Sequence, residues 1–115
     1  FFTSSALCMA DSSNHNDHRR ELEEWRGKID EIDRQMVALL CERLRYAGNI
    51  SAVKSRLGET VLQPEREKEV IANVMAMAEN PLMSPAIERI YQRILHESRQ
   101  FQQECNRDTQ GVSAR

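Results

Sequence analysis

Two cations stand where apolar residues are expected. On a helix turning by roughly 100° per residue, Trp25, Ile29, Ile32, Met36, Leu39, Leu40, Ala47, Ile50 and Leu57 recur at three- and four-residue steps and form one stripe. Arg43 and Lys54 fall within about 40° of Ile29 on that wheel, inside the stripe. The plain alternative for an inward-facing cation is that it snorkels or pairs with a glutamate of a neighbouring helix. Two on one face shift the balance toward an anion site. Lys54 follows Arg43 by eleven residues, or ~16 Å along the axis, so two long side chains reaching toward each other can grip opposite ends of one small dianion. Arg26 lies seventeen residues before Arg43 and is turned from it by roughly 100°, so it cannot join that grip within one chain. In a crossed or antiparallel pair of long helices, it can complete the partner's site.

A second set of polar groups repeats the pattern without charge. Ser98 falls within the stripe formed by Ile87, Tyr91 and Ile94, and Gln102 sits one turn later at its edge. Alone, a buried serine bonds its own helix and a glutamine near a helix end is solvated; their i, i+4 pairing points instead to a shared ligand. Arg66 and Glu67, taken from position alone, read as solvated charges in a first helical turn. The set offers cations and amide or hydroxyl donors, with no Ser-His-Asp arrangement, no evident thiolate nucleophile and no metal-ligand cluster. His15 and His18 read as part of a floppy tail rather than a metal site. What this set can do is hold a flexible anion in a reactive shape and stabilise charge that develops in the transition state. A unimolecular rearrangement needs nothing more.

The elements that must position these groups are helices. From Arg19 to Leu57 there is no proline, and the periodicity predicts one very long helix. Its length of close to ~60 Å exceeds what a domain this size can bury within one chain, so the stripe predicts self-association. Gly58 ends that helix, and Pro64 suits the first turn of a second over about 64–79, carrying Val70, Ile71, Val74 and Ala78. Asn80-Pro81 stops it. Ser84-Pro85 reads as an N-cap followed by proline at the first position of a third helix, over about 85–104, with Ile87, Ile90, Tyr91, Ile94, Leu95 and Phe101.

Composition agrees with an all-α fold of three helices. The 115 residues include only 4 Gly, 3 Pro and 5% aromatics, and the rest favours helix formers over β-branched and turn residues. The formal net charge of −2 gives no electrostatic footprint for nucleic acid or an anionic membrane; a small-molecule partner fits better. Cys8, Cys41 and Cys105 form neither a disulfide framework nor a zinc pattern, which suits a reducing cytoplasm. Cys41, in an apolar run, reads as a small core residue. FFTSSALC reads as upstream sequence before a start at Met9 rather than a clipped signal peptide. The expected organisation is a disordered tail over 1–18, a helical domain over 19–105 and a polar tail over 106–115.

Several spaced motifs agree in order and register with one known family. LEEWRGKIDEIDRQMVALLCERLRYAGNISAVKSR, then VLQPEREKEVI, then IYQRILHESRQFQQE, together resemble the all-helical (type II) chorismate mutases over about residues 22–104. The matching elements are W-R-x-K-I-D-x-I-D, E-R-L-x-x-A, the lysine eleven after that arginine, P-E-R-E and S-x-x-x-Q. The resemblance implies an intertwined homodimer that rearranges chorismate to prephenate without a cofactor, within phenylalanine and tyrosine biosynthesis. It makes Arg26 the arginine donated to the neighbouring chain's site and Arg43 the in-chain carboxylate binder. Lys54 and Gln102 become the donors to the ether oxygen, Ser98 a carboxylate contact, and Arg66 and Glu67 neighbours of the ring and hydroxyl. Gln63 stands where some relatives carry Asp, at the mouth of the site. Because the amide of Gln102 is neutral and donates at any ordinary pH, activity near neutral pH is expected. Two alternatives stay open: an isochorismate pyruvate-lyase on the same fold, and a catalytically silent regulatory helical dimer.

Overall fold

A computed structural model describes residues 12–113, in which α1 spans Ser12–Leu57, α2 Pro64–Ala76 and α3 Ser84–Ser113, with no strand among the described residues. The chain is all-α with three helices, as expected. Cys8, Met9 and the remainder of the stretch before residue 12 lie outside the described residues. Three boundaries differ from expectation, two of them at the outer ends of the chain. α1 begins at Ser12, within the segment whose polar composition predicts disorder, and α3 continues to Ser113, through most of the expected polar tail. Neither stretch contains proline, so nothing in the local chemistry stops a helix already propagating from the adjoining turns.

The turns that end and start the helices are specified residue by residue. At the end of α1, Gly58 adopts φ +74°, its N–H donates to the Ser55 carbonyl at 3.2 Å, and the Glu59 N–H donates to the Lys54 carbonyl at 2.8 Å. This is a Schellman cap, which requires a left-handed residue just beyond the helix. Pro64 opens α2, where a missing N–H costs nothing, and Glu65 and Glu67 sit in its positive first turn. α2 ends at Ala76, with Met77 as its C-cap, a few residues before the expected stop. At the start of α3, Ser84 is not the cap. Just upstream, the side-chain Oδ1 of Asn80 accepts from the N–H groups of Leu82 (2.9 Å) and Met83 (3.0 Å), an Asx turn that leads the chain into the helix. The Ile87 N–H then donates to the Met83 carbonyl at 2.9 Å, so helical bonding begins one residue before Ser84.

The chain divides into two compact units, Phe1–Leu40 and Cys41–Arg115. In the first, every described side chain from 15 to 39 is exposed, including Trp25, Ile29, Ile32 and Met36. In the second, the buried positions are Ala47 and Leu95 on the apolar side and Ser51, Ser98 and Gln102 on the polar side. Val70, Ile71, Val74 and Ala78 are half-buried, Ile90 is exposed, and Cys41, expected in the core, is exposed because nothing described packs over its side of α1. No described helix is long and apolar enough to cross a membrane.

Candidate active site

The second unit encloses a cavity of about 330 Å³, the size of a small-ligand pocket. Arg43 and Lys54 line it from α1, Gln63 from the connection, Arg66 and Glu67 from the first turn of α2, and Ser98 and Gln102 from α3. Of the sequence-derived candidates, seven therefore face one space. Arg26 is not among the lining residues; it is exposed and pairs with Glu23 at 2.9 Å within its own helix.

Each position follows from the local fold. Lys54 occupies the last turn of α1, and its ammonium donates to the Val61 carbonyl at 2.9 Å and to Gln102 Oε1 at 3.4 Å. That second contact joins two groups 48 residues apart in sequence and leaves the amide Nε2 of Gln102 to donate elsewhere. One turn earlier, Ser51 is 1% exposed, and its hydroxyl lies 2.7 Å from Asn106 Oδ1 and 3.3 Å from the Gln102 carbonyl. A buried hydroxyl with two acceptors ties α1 to α3 at the level of the site.

The two cations on α1 are available. Among the described residues neither Arg43 nor Lys54 has a carboxylate within ion-pairing distance, which removes the structural pairing that would have explained them. The Arg43 guanidinium lies over the Tyr91 ring, 5.9 Å from its centroid, a contact that orients the fork without consuming its donors. Arg66 bonds Glu69 across one turn at the exposed surface of α2. Gln63 donates through Nε2 to Glu59 Oε1 at 3.1 Å and to the Thr60 carbonyl at 3.4 Å, which folds the connection over the end of α1.

Residues read from the sequence as apolar packing, or not singled out at all, complete the wall. Tyr46, Ala47, Ile50, Val61, Val70 and Leu95 supply its apolar part. Arg99 is the notable absence from the expected set: its Nη1 donates to both carboxylate oxygens of Glu67, at 2.6 and 2.7 Å. It lies one residue beyond Ser98, off the apolar stripe, and its partner is on another helix, so periodicity offers no signal for it.

A cavity lined by an arginine with no carboxylate partner among the described residues, an ammonium set beside an amide and a buried serine hydroxyl matches electrostatic stabilisation of an anionic rearrangement. Comparison with known proteins decides the family. Residues 25–103 match the description chorismate mutase type II. The chain belongs to the type II chorismate mutase family. It is 30% identical over 91 residues to the chorismate mutase of Methanocaldococcus jannaschii, an alignment covering 78% of this chain and 92% of that relative. It is 35% identical over 79 residues to the T-protein of Enterobacter agglomerans, covering 68% of this chain and 21% of that protein. With the bifunctional chorismate mutase/prephenate dehydratase of Aquifex aeolicus it shares 37% over 57 residues, half of this chain and 16% of the relative. The chain thus spans most of one family member and about a fifth or less of the two larger proteins.

Proposed function

We propose that this domain converts chorismate to prephenate, and that it does so as a homodimer in which each cavity is completed by Arg26 of the partner subunit. The observation that carries this is the convergence of Arg43, Lys54, Ser98 and Gln102 from two helices on one cavity, with the Lys54 ammonium beside Gln102 at 3.4 Å.

The reaction is an exchange within one molecule: the ether carbon–oxygen bond breaks as a carbon–carbon bond forms, and no atom enters or leaves. Negative charge grows on the ether oxygen as its bond lengthens. Lys54 and Gln102 are the donors set to meet it, and they cost little to reorganise because both are already held by the fold. Arg43 and Ser98, with Arg26 of the partner subunit, take the two carboxylates and hold the flexible substrate in a compact chair-like shape, which removes most of its entropic barrier. Arg66 and Glu67 meet the ring and its hydroxyl, and Gln63 stands at the mouth. The exposed row of Trp25, Ile29, Ile32 and Met36 supports the dimer, since a large apolar stripe open to water marks an interaction surface. A cysteine set with no disulfide or zinc spacing supports a reducing cytoplasmic setting.

The test is the disappearance of chorismate with purified protein at neutral pH, followed by acid conversion of the product to phenylpyruvate. Rapid loss with phenylpyruvate formed is the expected result. A folded protein that leaves chorismate untouched sinks the proposal, and pyruvate released from isochorismate would replace it with the lyase reaction.

A further inference from the structure

Of the eight ion pairs among the described residues, seven join neighbours three or four apart on a single helix, with side chains more than half exposed. Arg99–Glu67 is the exception. It links α3 to α2, with side chains 27% and 25% exposed, and both members line the cavity. The guanidinium is committed chiefly to Glu67: Nη1 serves both Glu67 oxygens, and Nη2 lies 3.5 Å from His96 Nδ1 one turn back on α3. Its shortest bonds all go to one carboxylate, which makes Glu67 its principal partner. Glu67 keeps unused lone pairs, because a carboxylate has about four acceptor sites and a single nitrogen engages only part of them.

Glu67 is also a problem for the cavity. It is the one acidic group lining a space whose other charges are Arg43, Lys54, Arg66 and Arg99, and a bare carboxylate there would repel a dianion. We infer that Arg99 is a positioning residue: by gripping Glu67 from α3 it cancels that repulsion and aims the remaining carboxylate lone pairs at the hydroxyl of the bound substrate. This rests on the mutase assignment proposed above. Arg99 acts through Glu67 and does not touch the reacting atoms, so its contribution is the same in the bound substrate and in the transition state. Loss of such uniform binding raises KM and leaves kcat nearly unchanged.

Four proteins test it: the wild-type chain, Arg99→Met, Glu67→Gln and the double variant, with Arg99→Lys as the conservative control. With chorismate, Arg99→Met is expected to raise KM about tenfold while kcat stays within about twofold, and Arg99→Lys to recover most of the loss. In the Glu67→Gln background the same Arg99→Met change is expected to alter kcat/KM by less than about twofold, because residues that act through one contact are not additive. An equal loss in both backgrounds, a loss confined to kcat, or no loss at all would overturn the inference while leaving the mutase activity of the wild type intact. If the wild-type chain itself leaves chorismate untouched, the mutase assignment falls first, and the same four proteins are compared by urea unfolding. Additive stabilities there remove the pair as well; coupled stabilities retain Arg99 as the group that holds Glu67, for a different anionic ligand.

Discussion

The same helix behaves differently in the two units. Through residues 15–39 α1 repeats apolar residues at helical spacing and buries none of them, whereas a few turns later Ala47 and Ser51 are 5% and 1% exposed. The period of the stripe does not change; what changes is the presence of covering residues from α3 and of the connection folded against its end. Amphipathic spacing therefore states which face a helix offers, while burial depends on whether the chain supplies a cover. In the covered region the deepest positions are largely polar, Ser51, Ser98 and Gln102, and they cluster beside the cavity. A protein interior with that composition depends on hydrogen bonding as much as on apolar packing.

The largest effect should come from the covered region. Lys54→Ala removes the ammonium that faces Gln102, and turnover of chorismate should fall by about 10³-fold while circular dichroism still reports a folded helical protein. Unchanged turnover would take Lys54 out of the mechanism. Arg26→Ala should be comparably damaging although its site is in the uncovered region, and it gives the sharper experiment. Mixing inactive Arg26→Ala with inactive Lys54→Ala through a cycle of unfolding and refolding should restore about a quarter of wild-type activity, because half of the random dimers then carry one intact site of two. No recovery would mean that the two regions do not meet across subunits, and the exposed row would need another explanation.

Much of this was legible before any coordinates. Arg43 and Lys54 were displaced from the polar face, and Ser98 with Gln102 sat in an apolar stripe, so one-dimensional periodicity was enough to find the core of the site. Gly58 and Pro64 marked the ends of two helices because each performs a backbone task few residues can. Arg99 was hidden because its partner lies 32 residues away and no spacing rule links two helices. Arg66 and Glu67 looked like surface charges for the same reason; both line the cavity, although Arg66 stays exposed and paired with Glu69. The ends of α1 and α3 were misplaced because polar composition was read as disorder where no residue forbids a helix. Ser84 lost its capping role because helical bonding begins at Met83, so the Ile87 N–H that a serine cap would take is already bonded to the Met83 carbonyl.

Two smaller effects refine the contrast between covered and uncovered turns. Ser51→Ala should cost about 1–2 kcal/mol in urea unfolding, since it leaves Asn106 and the Gln102 carbonyl short of a buried donor. If that hydroxyl also sets the height of Gln102, kcat falls with it; a change below about 0.5 kcal/mol would show that water replaces it at no cost. Gly58→Ala should destabilise by about 1 kcal/mol, the cost of a side chain in the left-handed region, visible as a small drop in Tm. No drop would mean that the cap rearranges to a right-handed end.

The cap at Gly58 has a consequence for how this chain can change length. Lys54 is fastened at both extremities: its backbone carbonyl receives the Glu59 N–H, and its ammonium reaches the Val61 carbonyl seven positions ahead. Most interhelical connections absorb insertions freely, but here the connection doubles as the jig that sets the height of the Lys54 ammonium. An extra residue between 58 and 61 would shift the Val61 acceptor out of register with the ammonium while leaving all three helices intact, so a family of well-folded but idle enzymes lies one codon away.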